Sequence, residues 1–393
     1  MIYDCITIGA GAAGLFFGAT TPEKINGLIL EKTKRPGTKL LMSGSGQCNI
    51  THSGSIKDFV PHYGKNGGRI RGALFKYNNN ELCDFLKNNG IPLFYREDGK
   101  VFPKSMKAED ILNMLLKKTK ENGYEIKYEC ELTGIEEENG HIKVTAGNGT
   151  FLTRNLVLAT GGMSYPTTGS DGSIFPVLKK YLGIKLTDFH PALSPVSVQD
   201  YPYSSLSGIS FKGINVSLYR NNKKVSENTD DMLFTHKDLS GPVILNMSKE
   251  IFKGDEIKIN YVYPENRQDI VKRITEATEK SKSEWRNILP SALSLPKSFI
   301  EEVLKETGNK PKAIAAKLTE DTFTISKVAD FKTAMATSGG ISLSEIDLKT
   351  MQLKKHEHIY AIGEMTDIDG HTGGYNLQFC YSSARTAGES ISF

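Results

Sequence analysis

The stretch DCITIGAGAAGLFFGAT, residues 4–20, decides the fold of this chain. A short apolar strand pattern, ITI, runs directly into GAGAAG, and an apolar helical pattern follows. A GxGxxG motif between a strand and a helix is typical of a dinucleotide-binding turn, in which the glycines allow a tight bend and close approach of a pyrophosphate. The helix N-terminus then offers free N–H groups to the phosphates. The predicted cofactor-binding residues are Gly9, Gly11, Ala12, Ala13 and Gly14.

A second predicted strand, GLILEK, brings an acid to the distance that such a turn requires. Glu31 lies 22 residues after Gly9, and an acid about 20 residues on is the usual partner of an adenosine ribose hydroxyl. The alternative is a glycine-rich turn in another kind of α/β protein. Lys32 either approaches the adenosine ribose and phosphates or is a solvated surface lysine. These features alone leave NAD and FAD open.

Length and composition indicate a globular protein of two or three domains. The chain has 393 residues, of which 38% are hydrophobic and 24% charged, and no apolar run approaches the ~20 residues of a membrane span. The N-terminus reads as a strand and not as a signal peptide. Five cysteines without CxxC spacing argue against a disulfide framework or a zinc site, and a cytoplasmic location fits them. The net charge of +4 is too small to indicate a nucleic-acid partner.

Five longer segments resemble those of a known family in their order and in their amino-acid sequence. They are KRPGTKLLMSGSGQCNITH (34–52), GKVFPKSMKAEDIL (99–112), LVLATGGMSYPTTGSDG (156–172), LFTHKDLSGPVIL (233–245) and GEMTDIDGHTGGYNLQ (363–378). Together with the opening stretch they resemble the NAD(P)/FAD-dependent oxidoreductase flavoprotein family that includes the bile-acid-inducible flavoprotein BaiN. That family is part of the glutathione-reductase-like FAD superfamily. The resemblance covers almost the whole chain.

The resemblance implies an α/β fold with a Rossmann-like, glutathione-reductase-type FAD domain and an inserted β-barrel-like domain that carries a small helical subdomain. The FAD domain is expected to be discontinuous, with residues 1–189 plus 331–393. The β-rich insert is expected at 190–265 plus 322–330, and the helical subdomain at 266–321. Alternating patterns such as ISFKGINVSLYR, and the helical apolar spacing of NRQDIVKRITEATEK, favour the same arrangement.

The same resemblance implies where the flavin half of FAD binds. Gly363 and Glu364 follow the predicted last strand, and the acid is expected to reach the ribityl chain, where many relatives have aspartate. GGYNLQ is expected to begin a helix whose N–H groups face the pyrimidine side of the isoalloxazine, with Gly374, Asn376 and Leu377 as cofactor-binding residues. DIDG lacks the later glycine and glutamate of a calcium loop, so no metal site is expected.

The KLLMSGSG segment is implied to pass near the pyrophosphate and the flavin. The residues carried over there are Lys39, Leu40, Ser43, Gly44, Gly46, Cys48 and Asn49. Gln47 stands where the family usually has arginine, which puts an anion-binding role at this position in doubt. Cys48 is either a flavin-linked thiol or a small buried residue, and the lack of a partner cysteine excludes a disulfide reductase.

Two further sites come from the superfamily pattern. Leu132 is expected to bond the adenine through its backbone, and Thr160, Gly161 and Gly162 match the second widespread FAD signature. No second GxGxxG follows a strand, so NAD(P)H is expected to dock transiently and not in a domain of its own.

Three functions are compatible with these features. The first is an FAD-dependent oxidoreductase that transfers hydride from NAD(P)H through flavin N5 to an unsaturated carbonyl-type small molecule. The second is an FAD-dependent amine or hydroxyl oxidase that uses oxygen. The third, of another class, is an RNA-associated flavoprotein, against which the balanced charge of residues 254–330 argues.

The partners and the catalytic residues are less well defined by the sequence. A small-molecule substrate is expected, without a nucleic-acid or membrane partner, and the oligomeric state is left open. The catalytic acid or base is also left open, because His236 is either a proton donor or a structural histidine.

Overall fold

The structure, a computed structural model, describes residues 1–22, 24–138, 140–281, 283–328 and 330–393. Its strands are β1 (Ile2–Ile8), β2 (Gly27–Leu30), β3 (Thr51–His52), β4 (Leu93–Tyr95), β5 (Lys100–Pro103), β6 (Tyr124–Lys127), β7 (Leu132–Glu138), β8 (His141–Ala146), β9 (Gly149–Leu158), β10 (His190–Ala192), β11 (Val196–Val198), β12 (Ser210–Arg220), β13 (Lys223–Phe234), β14 (Leu239–Ser240), β15 (Glu256–Asn260), β16 (Asp321–Val328), β17 (Ala336–Ser338), β18 (Ile346–Asp347), β19 (Gln352–Leu353) and β20 (Ile359–Ala361). Its helices are α1 (Ala12–Thr20), α2 (Thr38–Met42), α3 (Gly67–Lys76), α4 (Asn79–Asn88), α5 (Ala108–Glu121), α6 (Ile174–Leu182), α7 (Pro242–Met247), α8 (Arg267–Glu279), α9 (Trp285–Leu293), α10 (Lys297–Thr307), α11 (Pro311–Thr319) and α12 (Tyr375–Ser390).

The chain divides into two units, each with its own hydrophobic core. Unit 1 combines Met1–Pro191 with Ala334–Phe393, and unit 2 is Ala192–Thr333. One cluster of buried side chains lies wholly within unit 1 and a second wholly within unit 2. The N-terminal and C-terminal parts of the chain therefore share one core.

A nine-stranded sheet forms the centre of unit 1. Its order is β18-β19-β20-β9-β1-β2-β6, and β8 joins the edge of β9 as half of an antiparallel hairpin with β7. The five strands β20, β9, β1, β2 and β6 are parallel. Parallel strands are covered on both faces, which explains why β2 is buried throughout and β1 is buried from Cys5 to Ile8. This arrangement confirms the predicted Rossmann-type FAD domain.

The carboxyl ends of these parallel strands meet at one edge of the sheet, and the cofactor motifs follow them. The GAGAAG turn follows β1, the ATGG segment follows β9, and Gly363 follows β20. The connection from β2 to β6 is long because it contains α2 to α5 and the small sheet β3-β5-β4. Ligands of open α/β sheets bind at such carboxyl ends.

Unit 2 is built around a closed barrel of six strands in the order β11-β14-β13-β12-β15-β16. Every neighbouring pair is antiparallel, and β11 and β16 close the ring. Along β15 the buried residues alternate with partly exposed ones, as a barrel wall requires. Helices α8 to α11 lie between β15 and β16 in the chain. The predicted barrel-like insert is thus confirmed. Within the described ranges, no helix combines the length and the apolar character that crossing a bilayer demands.

Candidate active site

The GAGAAG turn is shaped by close backbone contacts at its first and last glycines. Gly9 has φ +102°, and a Cβ there would lie 2.7 Å from the carbonyl oxygen of Ala159. A Cβ on Gly14 would lie 2.0 Å from the carbonyl oxygen of Gly9. The middle glycine is different, because a Cβ on Gly11 would meet nothing within 4 Å. The first and last glycines thus hold the turn against the sheet, while the middle one borders open space.

Glu31 is buried beside this turn and ties it to the end of β2. Its Oε2 accepts a hydrogen bond from the Ala10 N–H at 2.7 Å. Its Oε1 accepts from the backbone N–H and the hydroxyl of Thr33, each at 2.8 Å. These hydrogen bonds therefore hold the carboxylate of Glu31 in one orientation next to the GAGAAG turn.

The start of α1 also meets the C-terminal part of the chain. Ala12 and Ala13 form the first turn of α1. Gly363 has φ +68°, and a Cβ there would lie 2.6 Å from the Cβ of Ala13. Only a glycine allows the segment after β20 to pass this close to the helix.

Lys39 and Glu364, which are 325 residues apart, form the centre of a polar network. The Lys39 Nζ lies 2.6 Å from Oε2 and 2.9 Å from Oε1 of Glu364, and it donates to the Ser164 hydroxyl at 2.6 Å. Oε1 also accepts from the Thr337 N–H at 2.9 Å. The Thr337 hydroxyl accepts from the backbone N–H groups of Met163 and Ser164. This network joins four separate segments of unit 1.

The ATGG segment, residues 159–162, contacts Ser170 and Thr337. Cβ atoms on Gly161 and Gly162 would lie 3.0 Å from the Ser170 Oγ and 2.4 Å from the Thr337 Oγ1. The hydroxyls of Thr160 and Ser170 are buried and have no hydrogen-bond partner among the described residues. A buried hydroxyl without a partner costs about 1–3 kcal/mol, so both suit a polar ligand.

The KLLMSGSG segment forms α2 and a tight turn after it. Leu40 is buried, and its carbonyl oxygen accepts from the Ser43 hydroxyl at 2.7 Å. Gly44 has φ +56°, and its added Cβ would lie 3.0 Å from the Asn49 nitrogen. Gly46 also has positive φ, at +85°. The backbone of this turn therefore folds back on itself next to Asn49.

Cys48 is a buried thiol at the end of that turn. It has φ +60°, and its N–H donates to the Ser43 carbonyl oxygen at 2.9 Å. Burial raises its pKa to about 12. The thiol is therefore protonated near neutral pH, which disfavours thiolate chemistry.

Asn49 links this turn to the start of α12. With its amide oriented so that both ends are satisfied, the nitrogen donates to Thr51 O at 3.0 Å and the oxygen accepts from Gly374 N–H at 3.3 Å. A Cβ on Gly374 would lie 2.6 Å from the Thr51 backbone. Asn376 bonds the N–H and the carbonyl of Gly370 at 2.8 and 2.9 Å, and this closes the loop before α12. Leu377 is partly buried in the first turn.

Two predicted residues lie outside this group of contacts. Lys32 forms ion pairs with Glu131 at 2.9 Å and Asp171 at 2.6 Å. Leu132 begins β7 and pairs with Ala146 of β8. Their assignment to the adenosine end stays a prediction.

A second cluster borders the loop before α12, and no sequence motif predicts it. The His62 ring stacks on Tyr375 with centroids 4.1 Å apart, and its Nδ1 lies 3.2 Å from the Nδ1 of His371. His52 also stacks on Tyr375, at 5.6 Å. We call these four residues the histidine–tyrosine cluster. His371 and Tyr375 flank the glycine pair of the GEMTDIDGHTGGYNLQ motif. The segment that contains His62 belongs to no quoted motif.

Ser164 and Thr337 are further functional candidates that sequence reasoning missed. Ser164 follows the ATGG signature by two residues. Thr337 lies in ATSGG, which has no motif of its own. Their signal is spatial, because both bond the Lys39–Glu364 pair.

Comparison with known proteins settles the family. The description "HI0933-like protein Rossmann domain" matches residues 3–390. The chain belongs to this family.

Three curated relatives match over nearly their whole length. The ribosomal RNA dihydrouridine synthase of Escherichia coli is 27% identical over 97% of this chain and 96% of its own. The protein of the same name from Haemophilus influenzae is 29% identical, over 98% of each chain. The 3-dehydro-bile acid delta(4,6)-reductase of Clostridium scindens is 25% identical over 97% of each.

Solved structures share the fold of this HI0933-like protein. The Escherichia coli quinol fumarate reductase FrdA has a TM-score of 0.54 at 15% identity, covering 100% of this chain and 70% of FrdA. The 3-ketosteroid-delta4-(5alpha)-dehydrogenase of Rhodococcus jostii has a TM-score of 0.52 at 15% identity, covering 99% and 96%. The family and the fold make the chain an FAD-dependent oxidoreductase.

The geometry of unit 1 fits FAD on two observations. The space beside Gly11 is open, and Thr160 and Ser170 each present a buried hydroxyl without a partner in the described part of the chain. Both features lie at the carboxyl ends of β1 and β9, where a dinucleotide binds in this class of sheet.

Proposed function

We propose that this FAD-dependent oxidoreductase reduces a carbon–carbon double bond conjugated to a carbonyl group, with NAD(P)H as a transient electron donor. The observation that carries the proposal is the full-length similarity to three relatives whose names describe such reductions. A 3-dehydro-bile acid with delta(4,6) unsaturation has its double bonds conjugated to a ketone. Dihydrouridine forms from uridine when the ring double bond next to a carbonyl is saturated. The two substrates differ greatly in size, yet the bond that changes is of one kind.

The residues that would hold FAD follow the motifs along the sheet edge. The GAGAAG turn and the N-terminus of α1 would bind the pyrophosphate through backbone N–H groups. Glu31 would accept from the adenosine ribose, and Thr160 and Ser170 would donate to polar groups of the dinucleotide. Lys39 and Glu364 would orient the ribityl chain from their shared network. When bound, FAD supplies two-electron hydride chemistry.

The start of α12 would contribute electrostatics at the pyrimidine side of the cofactor. The helix is 16 residues long, and its first N–H groups lie between Gly374 and Leu377. A helix N-terminus carries a partial positive charge equivalent to roughly half an elementary charge. Such a fixed dipole favours negative charge that develops next to it.

The acceptor we propose first is a small molecule that carries a conjugated ketone. The second candidate acceptor is a uracil base in RNA, in which the same kind of double bond is reduced. The two candidates differ in the size of the substrate. Two of the three relatives are named for ribosomal RNA. Unit 1 also has five exposed basic side chains in the segment that leads into and forms α3, where Asp58 is the one acid. The basic residues are Lys57, Lys65, Arg69, Arg71 and Lys76.

An acceptor experiment tests the proposal and separates its two forms. The FAD-loaded protein is reduced anaerobically and mixed in a stopped-flow instrument with a steroid dienone, its saturated analogue, or protein-free ribosomal RNA. We expect rapid reoxidation by the dienone and none by the analogue. Reoxidation by RNA alone, with formation of dihydrouridine, would move the assignment to the second candidate. Failure of every conjugated acceptor would contradict both forms.

A further inference from the structure

The histidine–tyrosine cluster contains two histidines that share a hydrogen bond. The Nδ1 atoms of His62 and His371 are 3.2 Å apart. The His371 N–H also donates to the His62 carbonyl oxygen at 2.9 Å, so backbone and side chains hold the two residues together. Both side chains are half-buried. The pair is therefore fixed, and solvent or a ligand can still reach it.

The shared hydrogen bond limits how many protons the pair can hold. One Nδ1 must donate and the other must accept, so one proton lies between the two rings. In the neutral pair, one outer Nε2 carries a proton and the other has a lone pair. In the singly charged pair, both outer Nε2 atoms carry protons. Two charged rings would place two N–H groups face to face and break the bond.

The surroundings of the pair fix its rings. His62 stacks on Tyr375 at 4.1 Å with an interplanar angle of 17°, and Phe59 packs edge-on against the same tyrosine. The Tyr63 hydroxyl donates to the Tyr375 carbonyl oxygen at 2.8 Å. His371 belongs to the loop that Asn376 closes on Gly370. The pair thus lies beside the residues that would bind the flavin end of FAD.

Several titratable groups surround the pair. Burial, and then the charge of His52, lower the pKa of His62 below the ordinary 6.5, while Asp58 raises it. Both ring nitrogens of His52 face backbone carbonyl oxygens, at 2.8 and 2.9 Å.

The loop side of the pair contains two acids and a lysine. Asp369 accepts from the Ser338 hydroxyl at 3.0 Å. Asp367 accepts from the Asn66 amide, and burial raises its pKa while Asn66 and Lys65 lower it. The acids are thus engaged with other segments of unit 1.

We propose that the His62–His371 pair is the general acid of the reduction. This inference rests on the proposed function. Saturation of a conjugated double bond adds a hydride to one carbon and a proton to the other or to the carbonyl oxygen. The hydride would come from bound FAD, which NAD(P)H would reduce. An outer Nε2–H of the charged pair provides the proton, which leaves the pair neutral, and water then restores its proton.

The test separates the two halves of the catalytic cycle. His62→Gln and His371→Gln variants are loaded with FAD and compared with His190→Gln, a matched control at an exposed histidine. The bleaching of the flavin by NAD(P)H is measured first, and it reports that each variant is folded and loaded. Reoxidation by a conjugated acceptor is then followed from pH 5 to pH 9. Nitrogen-detected NMR titration of the histidine rings gives a readout that does not depend on turnover.

We expect the two pair variants to bleach like the wild type and to reoxidise about 100-fold or more slowly, the range of a general acid. Wild-type reoxidation should slow as pH rises, and this dependence should disappear in both variants. In the NMR titration, loss of either ring should shift the midpoint of the other, because coupled sites titrate together.

Three results would overturn the inference, and they are distinguishable. Variants that reoxidise at the wild-type rate with the wild-type pH profile would exclude the pair as the acid while the proposed function stands. A wild-type protein that no conjugated acceptor reoxidises would remove the proposed function and the acid role with it. Independent titration of the two rings would show that they share no proton, whatever the acceptor.

Discussion

Among single residues, a methyl group added at Gly14 or at Gly11 of the GAGAAG motif is expected to have different effects, one on stability and the other on FAD binding. Gly14→Ala places a Cβ 2.0 Å from a backbone oxygen, which should lower the stability of the apoprotein by about 1–3 kcal/mol. Gly11→Ala meets nothing within 4 Å and should leave that stability unchanged. It should weaken FAD binding at least tenfold, because the methyl group occupies the approach to the backbone.

Thermal unfolding of the apoproteins and fluorescence titration with FAD measure these two effects separately. If Gly11→Ala binds FAD as tightly as the wild type, the turn is not the pyrophosphate site.

The Lys39–Glu364 pair makes a second residue-scale prediction. Lys39→Met leaves the partly buried Glu364 without its cation, so the network should loosen and the Kd for FAD should rise about tenfold, or ~1.4 kcal/mol. Lys34→Met is the matched control, because Lys34 is 83% exposed and its ion pair with Glu129 is 3.8 Å long.

Equal FAD affinity of the Lys39→Met and Lys34→Met variants would show that the network has no part in cofactor binding. A double variant with Glu364→Gln should lose less than the sum of the single losses, because the two residues interact directly.

Some single residues of the site can be predicted from the sequence, and others cannot. Glu31 is predictable because its distance from Gly9 along the chain fixes its place at the next strand end. The contact between His62 and His371 joins residues 309 positions apart, and no local pattern describes it. Lone histidines are common, and only the folded chain shows which two of them share a proton.

At the scale of elements, a buried acid links α11 and β16 in unit 2. Asp321 accepts hydrogen bonds from the hydroxyls of Tyr203 and Tyr261, at 2.6 and 2.9 Å, and lies 2.9 Å from the Lys317 Nζ. Burial raises its pKa, although Lys317 lowers it. Lys317→Met removes the cation and leaves a buried carboxylate, so it should destabilise unit 2 by about 3 kcal/mol at pH 8.

The loss of unit 2 stability in Lys317→Met should depend on pH in a definite direction. A folded-state pKa above the unfolded value means that stability is greatest at low pH and falls as pH rises through the folded pKa. Without Lys317 the folded pKa rises further, so the deficit should grow towards pH 8 and shrink towards pH 5. Urea unfolding at both pH values measures it. Lys305→Met is the control, because the Lys305 side chain is exposed although it pairs with Glu302. A deficit independent of pH would rule out the carboxylate as its cause.

Two elements of unit 2 also show why pattern reasoning misses real structure. β13 contains the polar run KKVSENTDD, and it becomes a strand because it pairs with β12 along most of its length. α9 contains Pro290, a helix breaker, yet Leu289 and Leu293 are buried in the core of unit 2. In both cases tertiary packing overrides local propensity.

At the scale of the whole molecule, unit 2 should fold without the rest of the chain. Its core is separate from that of unit 1, and its first and last barrel strands are neighbours, with Val196 opposite Val328. The fragment 192–333 should therefore give one cooperative urea transition and a mixed α/β circular dichroism spectrum. It should bind no FAD, because every cofactor-binding residue we assign lies in unit 1. An unfolded fragment would contradict the independence of its core.

The discontinuous domain was accessible to sequence reasoning because both of its ends carry family motifs. GAGAAG and GGYNLQ lie more than 350 positions apart, and the resemblance alone implied that they share a cofactor. The contacts that hold them together, such as Asn49 to Gly374, depend on side-chain geometry that no spacing expresses.

We propose that a nicotinamide nucleotide reduces the FAD of this enzyme. The most direct measurement is the visible spectrum of the FAD-loaded protein under anaerobic conditions, before and after addition of NADH or NADPH. We predict that the flavin bands bleach with one of the two nucleotides and return on addition of a conjugated ketone. If the protein binds no FAD, or if its bound flavin stays oxidised with both nucleotides, nicotinamide-dependent FAD chemistry is excluded.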